Sequence, residues 1–373
     1  MSLSRRTFLR GMTGALLAPG LAACRSSSSS SDKGDGNSVN IYSWADYLHP
    51  DTIPEFERRS GVQVVYDTFA SNEALLAKLQ AGASDYDIVV PTGYMLRQLV
   101  KLGLLQKLDH SRIPNLKNIT ERFQNPGHDP GLKYSVPYTW GTTGIGYNTT
   151  AVSKVMTIKD ADLQMPQMAM DKTPADWDVF WDPRLAGRIT LLDDSRETIG
   201  AALKRRGHSY NTTDEALIRK ATEDLKLQKP LTMCYSSDQI ITQLVSGDCW
   251  LALVYSGDAY QARRENPDVG YAIPVSGCSI WMDSLCIPKT APHPERAYEW
   301  INYILEPAVG AAIANYTRYA TPNQLALPLV NDELRRDKVL YPNENVLSRC
   351  EEIGDVGHAV FTYDRMWTEL KCS

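Results

Sequence analysis

Acidic and aromatic residues follow most of the predicted strands of this chain, at the positions where ligands of open α/β sheets bind. These residues are Trp44, Asp46, Tyr47, Tyr94, Asp194, Glu197, Tyr255, Asp258, Trp281 and Asp283. Hardly any of the strand ends supplies a basic side chain. Carboxylates hold ammonium groups through charge-assisted hydrogen bonds, and aromatic faces cover methylene groups and attract cations. The pattern therefore favours a ligand that is cationic at separate points and apolar between them.

One acidic residue lies in the middle of a predicted strand, in the stretch 279–285, "SIWMDSL". Because side chains of a strand alternate between its faces, Asp283 shares a face with Trp281 and Leu285. Both faces are otherwise rather apolar, as in a strand that is covered on both sides. A buried carboxylate requires a partner, and a residue in mid-strand cannot cap a helix. We expect Asp283 to meet either a ligand ammonium group or a neighbouring loop.

The other candidates have structural explanations as well. Asp194 and Glu197 have the spacing of a capping box, and Asp258 precedes a predicted helix where a cap belongs. Trp44 and Tyr47 are equally compatible with a place in the core. If the acids do bind ligand at several strand ends, a linear polyamine is the class of molecule that fits.

The order of predicted elements indicates an α/β fold with two lobes. Strands and helices alternate through the first third of the chain, a long strand at 134–152 crosses from one unit to another, and a second α/β series follows it. The predicted strands are 39–44, 62–69, 86–91, 188–194, 249–258 and 279–285, and the predicted helices are 51–61, 71–82, 94–103, 195–207, 259–264 and 294–307.

The N-terminal segment resembles an export signal rather than part of the fold. Arg5-Arg6 precede a short apolar run, which is typical of a Tat signal over residues 1–23. "LAAC" resembles a lipoprotein box that would attach lipid at Cys24, and the Ser/Gly-rich residues 24–37 are typical of a flexible tether. These features predict a periplasmic, membrane-anchored protein.

Charge and cysteine content exclude several classes of site. The formal net charge is −5, and removing residues 1–23 takes away three arginines and no acid, so the remaining chain is more acidic. Such a surface does not favour nucleic acid. Besides Cys24 there are six cysteines, none in a CxxC pair or beside histidine at metal spacing, so we expect neither a metal nor a cofactor. Disulfides are permitted in an exported protein, but their connectivity stays open.

Several motifs resemble the spermidine/putrescine-binding proteins of bacterial ABC importers, in the order in which that family has them. They include "SWADY", "SNEALLAKLQAG", "YDIVVPTGY", "VPYTWGTTGIGYN", "LLDDSRE", "WMDSL" and "YATPN", and the resemblance runs from about Val39 to the C-terminus. It implies a type II periplasmic binding fold with mixed, mostly parallel sheets and crossing strands as a hinge. We place lobe 1 at 38–140 and 281–327, and lobe 2 at 141–280 and 328–373. It also implies permease and ATPase subunits as partners, and a monomer.

The resemblance also implies roles for individual residues. Trp44 and Tyr47 would line the cleft with Asp46 between them, and Tyr94 would stack on the ligand from the first lobe. Asp194 and Glu197 would bind amines from the second lobe. Trp281 would cover the ligand while Asp283 holds an inner amine, and Tyr319 would form another wall. Tyr255 stands where many spermidine binders have Trp, and Asp258 resembles the acid of putrescine-preferring relatives. Tyr94, Asp194 and Trp281 resemble the spermidine-preferring pattern instead, so spermidine and putrescine both stay open, with spermidine favoured.

Three other functions compete with this interpretation. Paired carboxylates with aromatic walls also occur in glycosidases, but no GxSxG, HExxH or P-loop motif is present and no histidine has the context of a base. A binding protein for a different small solute is the second alternative, although sugars and amino acids would require other side chains at the strand ends. A polyamine sensor for a membrane receptor is the third, and nothing in the sequence separates it from an importer subunit.

Overall fold

A computed structural model describes residues 37–69, 71–82, 85–156 and 176–373. The predicted signal at 1–23, the lipid attachment site Cys24 and the tether up to residue 36 lie outside the described residues. Within the described part of the chain, no helix has both the length and the apolar character needed to cross a membrane.

Strands and helices alternate along most of the chain. The strands are β1 (Ser38–Trp44), β2 (Gln63–Phe69), β3 (Ile88–Val89), β4 (Ser135–Asn148), β5 (Ile189–Leu191), β6 (Thr232–Tyr235), β7 (Leu251–Tyr255), β8 (Val269–Ala272), β9 (Ser279–Cys286) and β10 (Glu351–Glu352). The helices are α1 (Thr52–Ser60), α2 (Asn72–Gln80), α3 (Gly93–Lys101), α4 (Thr149–Met156), α5 (Ser195–Arg205), α6 (Glu215–Gln228), α7 (Ile240–Ser246), α8 (Ser256–Glu265), α9 (Pro294–Ile304), α10 (Pro307–Thr317), α11 (Asp332–Arg335), α12 (Glu344–Leu347) and α13 (Val360–Cys372).

The strands form a mixed sheet in the order β2-β1-β3-β9-β4-β7-β5-β6, with β10 beside β9 and β8 beside β4. Strand pairs at the two flanks are parallel, whereas β4 and β9 run antiparallel to each other and to β7 and β3, respectively. β4 and β9 therefore join the two parallel flanks, as expected of crossing strands. Their register places Thr139 opposite Asp283 and Gly141 opposite Trp281.

Apolar side chains on opposite faces of β9 belong to different cores. Trp281 and Leu285 pack into the core next to β1 and α9, whereas Ile280 and Met282 pack into the core of α5, α6 and β7. All eight residues of β9 are buried. The predicted two-residue alternation and the coverage of both faces are thus confirmed, and β9 is in contact with both halves of the molecule.

Most predicted helices are present with nearly the predicted ends. α1 ends at Gly61, whose φ of 72° suits glycine, and Ser71 caps α2 by accepting a hydrogen bond from the Ala74 amide. Helix α6 was not predicted from the sequence, although its buried residues recur at helical spacing. Those residues are Ile218, Ala221, Thr222, Leu225 and Gln228.

Candidate ligand-binding site

The carboxyl group of Asp283 meets the loop that follows β1. The Tyr47 hydroxyl donates a hydrogen bond of 2.6 Å to Asp283 Oδ2, and both residues are buried. Tyr138 on β4 donates in turn to the backbone oxygen of Tyr47, which fixes the position of this loop over the sheet. One of the two oxygens of Asp283 is therefore bonded to a neighbouring loop, which is one of the two partners expected from the sequence.

The second oxygen of Asp283 is buried without a partner of standard hydrogen-bond geometry among the described residues. Burial raises the pKa of Asp283 to about 6, and the nearby hydroxyls of Thr92 and Tyr47 offset only part of this effect. With an exposed fraction of 2%, Asp283 is a carboxyl group that lacks both solvent and a counter-charge. The ionised form of such a carboxyl group is stabilised most by a ligand that places a cation beside it.

Asp258 forms a second pair of a carboxylate with a tyrosine. The Tyr319 hydroxyl donates to Asp258 Oδ1, and burial raises the pKa of Asp258 to about 6. The prediction that Asp258 precedes its helix is wrong, because α8 begins at Ser256 and Asp258 lies inside its first turn. Gly257 permits the pair, since a Cβ atom at this position would lie 2.2 Å from the Tyr319 ring.

Aromatic rings enclose the space between these carboxyl groups. The Trp281 ring makes edge contacts with Tyr255 and Tyr319 at centroid distances of 5.9 and 5.3 Å, and Tyr47 contacts Tyr319 at 5.5 Å. The indole N–H of Trp281 is buried without a hydrogen-bond acceptor among the described residues. Gly141 on β4 is needed beside this ring, because a Cβ there would be 2.6 Å from it. Rings from β9, the end of β7 and two loops thus form one continuous wall.

Of the two side-chain bonds in the predicted capping box at Asp194 and Glu197, the structure contains the one that Asp194 accepts. Asp194 Oδ1 accepts hydrogen bonds from the amides of Arg196 and Glu197 at 2.8 and 3.0 Å and so caps α5. Glu197 does not bond back to Asp194. It accepts instead from Thr143 on β4 and Ser279 on β9.

The environment of Glu197 favours its protonated form. Burial, and secondly the charge of Asp194, raises the pKa of Glu197 to about 8. The pKa of Asp194 is also raised, first by burial and then by the charge of Glu73. A cation placed beside this pair would favour ionisation of both.

Glu73 belongs near the site and was missed by the sequence analysis. It lies in the first turn of α2 and accepts a hydrogen bond of 3.3 Å from the Tyr94 hydroxyl, while Asn72 donates to the same hydroxyl. Burial, and after it the charges of Glu73 and Asp194, raises the pKa of Tyr94, so acids from both halves act on this hydroxyl. Glu73 directly follows the region of β2, so the strand-end rule that identified the other acids applies to it as well.

Trp44 and Asp46 lie at the edge of the enclosure. The Trp44 indole donates to the Val90 oxygen at 2.9 Å and packs edge-on against Phe69, so one part of this ring is in the core. Asp46 is exposed, has a φ of 54°, and its charge contributes to the raised pKa of Asp258. It therefore faces the same region as Asp258 from the opposite side.

No cation of the described residues forms an ion pair with the acids of this site. Arg196, the basic residue nearest to them in sequence, points its guanidinium group to the oxygens of Tyr210, Asn211 and Gly354 and lies over the Tyr363 ring. In the same described ranges, no group of three or more His, Cys, Asp or Glu is arranged to hold a metal ion. The acids that converge here are Asp46, Glu73, Asp194, Glu197, Asp258 and Asp283.

Comparison with known families agrees with this arrangement. Residues 51–339 match the family described as bacterial extracellular solute-binding protein. The chain belongs to this family. The predicted fold class, a two-lobed α/β solute-binding protein, is confirmed by the family and by solved structures that share its fold.

Individual members of the family resemble the chain over most of its length. The spermidine/putrescine-binding periplasmic protein of Escherichia coli is 34% identical over 95% of this chain and 97% of its own length. The putrescine/cadaverine-binding protein of Pseudomonas aeruginosa is 33% identical over 89% of this chain and 92% of its own. A solved structure of the substrate-binding protein PotD of a spermidine/putrescine ABC transporter from Streptococcus pneumoniae superposes with a TM-score of 0.77, at 31% identity, covering 90% of this chain and 99% of that one.

A lipoprotein is among the similar solved structures. The TpPotD lipoprotein of Treponema pallidum has a TM-score of 0.76 and 32% identity, covering 89% of this chain and 99% of that one. The sequence-based resemblance to the spermidine/putrescine-binding proteins is therefore confirmed. These relatives are solute-binding proteins rather than enzymes.

Proposed function

We propose that this protein binds a linear polyamine as the substrate-capture subunit of an ABC importer. The observation that supports this proposal is the buried carboxyl group of Asp283, which has one oxygen bonded to Tyr47 and the other without a partner of standard hydrogen-bond geometry among the described residues. Asp258 lies on the same aromatic enclosure, and neither carboxyl has an ion-pair partner among the described residues. A ligand with spaced ammonium groups supplies the missing charges.

The electrostatic balance of the site favours cations over neutral or anionic solutes. An isolated buried carboxylate is unfavourable, which is the reason for the raised pKa of Asp283 and Asp258. An ammonium group in contact with such a carboxylate contributes about 1.5–3 kcal/mol through a charge-assisted hydrogen bond. Among the described residues, an anionic solute would find no free basic partner at Arg196, whose guanidinium group bonds to the oxygens of Gly354 and Tyr210.

Aromatic rings complete the recognition of the ligand. In our proposal Trp281, Tyr255, Tyr319, Tyr47 and Tyr94 cover the methylene segments, with Trp44 at the rim. Each ring face that meets a cation adds roughly 0.5–2 kcal/mol. Two or three ammonium contacts and these walls together reach an affinity in the micromolar range, about −8 kcal/mol, after the costs of association.

The acids form three separate points, which favours a triamine. In our proposal Asp283 holds one amine, Asp258 with Asp46 holds a second, and Asp194 with Glu197 and Glu73 holds a third. Spermidine has three amines, and putrescine and cadaverine have two. The relative from Escherichia coli is named for spermidine and putrescine, and the relative from Pseudomonas aeruginosa is named for putrescine and cadaverine. We therefore propose spermidine as the preferred ligand.

Other features of the chain are consistent with this role. We propose that the lobes 38–140 with 281–327 and 141–280 with 328–373 close on the ligand around β4 and β9. The Tat-type signal at 1–23 and a lipid on Cys24 would place a monomer at the outer side of a membrane, where it delivers the ligand to the permease subunits, which the ATPase subunits drive from the other side. This role requires no catalytic residue, metal or cofactor.

Isothermal titration calorimetry on the exported protein tests the proposal. Spermidine, putrescine and cadaverine are titrated separately at moderate salt, with glutamate and maltose as solutes of other classes. The proposal predicts binding of spermidine near or below micromolar concentration and no heat from glutamate or maltose. Absence of binding by all three polyamines would overturn it. Tighter binding of putrescine would overturn only the choice of spermidine.

A further inference from the structure

Two cysteines outside the candidate site lie side by side. Cys278 directly precedes β9 and Cys350 directly precedes β10, and their sulfur atoms are 3.6 Å apart. β9 and β10 are parallel with Ser279 opposite Glu351, so the two cysteines occupy equivalent positions one residue before this register. The Glu351 amide also bonds to the Cys278 oxygen at 2.9 Å. Both cysteines are free thiols in the structure.

The backbone is constrained to keep these residues together. Gly277 has a φ of 91°, and a Cβ atom on it would lie 1.9 Å from the Arg349 oxygen, so only glycine allows the two chain segments to approach this closely. Trp177 donates to the Gly277 oxygen at 3.0 Å and holds the segment from the other side. Adjacent parallel strands lie within the Cα separation that a disulfide spans. Small side-chain rotations therefore suffice to bring the sulfur atoms to bonding distance.

The two thiols differ in exposure and in pKa, the properties that decide which thiol attacks first in thiol–disulfide exchange. Cys350 is half-buried, and its hydrogen bond with Cys278 together with the nearby cation of Lys204 lowers the pKa of Cys350 to about 7. Lys204 is fixed there by bonds to the Arg349 oxygen and to Glu351. Burial raises the pKa of Cys278. Cys350 is thus the accessible thiolate that attacks an oxidant, and Cys278 is the resolving thiol.

We propose that Cys278 and Cys350 form a disulfide in the exported protein. The Cys350 thiolate attacks the disulfide of an oxidising protein, forming a mixed disulfide and releasing one thiolate of that protein. The Cys278 thiolate then displaces the second sulfur and closes the bond. The pair loses two protons and two electrons in total, and the oxidising protein becomes a dithiol. Membership of an extracellular solute-binding family is consistent with a compartment where disulfides persist.

The bond would link the C-terminal segment to the strand that holds Asp283. It closes a loop of 72 positions between β9 and β10. Ser279, next to Cys278, donates to Glu197, and Gly354 beyond β10 accepts from Arg196 at the start of α5. The disulfide therefore stabilises the packing of β9, β10 and α5 behind the acids of the second half, without contacting the ligand.

Maleimide labelling with peptide mass spectrometry tests for the bond. The exported full-length protein is denatured without reductant, alkylated with N-ethylmaleimide, reduced, and alkylated again with iodoacetamide. We expect the first label on Cys234, Cys249, Cys286 and Cys372, and the second on Cys278 and Cys350 alone. A peptide pair linked through Cys278 and Cys350 should lack two hydrogen atoms before reduction. Recovery of both residues with the first label would overturn the proposal.

Thermal denaturation gives a second readout that does not depend on labelling. Reductant should lower the melting temperature of the wild-type protein by about 5 °C, because a disulfide that closes a loop of this length stabilises the fold. The same reductant should leave the Cys350→Ala variant unchanged, whereas the matched variant Cys234→Ala should respond like wild type. An equal response of the wild type and Cys350→Ala, including no response by either, would contradict the bond.

Discussion

The Tyr47 hydroxyl and the Asp283 carboxyl form a 2.6 Å hydrogen bond between residues that are 236 positions apart in the chain. This bond joins the loop after β1 to the crossing strand β9. It satisfies one oxygen of a buried carboxyl and leaves the other for a donor that the described protein atoms do not supply.

Tyr47→Phe should weaken polyamine binding mainly by hindering the ionisation of Asp283. The hydrogen bond from Tyr47 lowers the pKa of Asp283 against the effect of burial, so its loss should raise that pKa above 6. We expect an affinity loss of about 2- to 10-fold at pH 7, most of which is recovered at pH 9. Calorimetry at both pH values measures it.

The matched control for this variant is Tyr316→Phe, which removes a hydroxyl from a more exposed tyrosine that contacts His49. It should bind like wild type at both pH values. A loss in Tyr47→Phe that is the same at pH 7 and pH 9 would mean that Tyr47 acts through packing and not through the carboxyl group.

Polyamine affinity should fall as the pH is lowered through 6. Burial raises the pKa of both Asp283 and Asp258 to about 6, so below that pH the neutral acids predominate and lose their attraction for ammonium groups. If both must be ionised, these two carboxyls alone should decrease the affinity about 100-fold from pH 7 to pH 5. In Asp258→Asn the decrease over the same range should be about 10-fold smaller than in the wild type. A flat profile in the wild type would show that these carboxyls do not bind the ligand.

Binding at pH 7 should release about one proton, chiefly from Glu197. With its pKa raised to about 8, this side chain is mostly protonated at pH 7, and an ammonium group beside it lowers that pKa. Calorimetry in buffers of different ionisation enthalpy counts the protons. Glu197→Gln should abolish most of the release, whereas Glu344→Gln at a surface position should leave it unchanged. Equal release by Glu197→Gln and wild type would assign the proton to another group.

Gly257→Ala should reduce affinity although alanine is the better helix former. The added Cβ would lie 2.2 Å from the Tyr319 ring and must displace it from Asp258 and Trp281. We expect an affinity loss of at least about 10-fold, comparable to losing a charge-assisted hydrogen bond and a ring contact. Gly354→Ala is the control, since its Cβ would be no closer than 3.4 Å to any neighbour. Unchanged binding by Gly257→Ala would show that Tyr319 is not a wall of the site.

The sequence predicts the local features of this fold well because they depend on local patterns. The alternation in β9, the end of α1 at Gly61 and the cap of α2 at Ser71 each follow from a few neighbouring residues. Most of the acids and rings were identified for the same reason, since they lie at the end of a recognisable strand or within one. Asp258 was misplaced relative to α8 because its glycine-containing start weakens the helical signal.

Contacts between distant segments were not predictable from the sequence. Nothing local indicates that Tyr47 meets Asp283, that Glu197 bonds to β4 and β9, or that Cys278 lies beside Cys350. These contacts depend on the register of β4 against β9 and of β10 against β9. That register follows from packing across the whole sheet.

Asp283→Asn is the substitution that tests the central claim, that this buried carboxylate binds a ligand ammonium group. The raised pKa means that the folded protein holds this proton more tightly than the unfolded chain does. The destabilisation from ionised Asp283 therefore develops as the pH rises from about 4 to 6 and is fully present at pH 7, where it amounts to about 3 kcal/mol. Asparagine keeps an acceptor for Tyr47 without the charge, so the variant should melt no lower than wild type.

Calorimetric titration of spermidine into wild type, Asp283→Asn and Asp51→Asn at pH 7 is the most direct measurement. Asp51 has an 89% exposed side chain and serves as the control for loss of a carboxylate elsewhere. We predict that Asp283→Asn loses at least about 30-fold in affinity while Asp51→Asn binds like wild type. Binding of spermidine by a folded Asp283→Asn variant within threefold of the wild-type affinity would contradict the account.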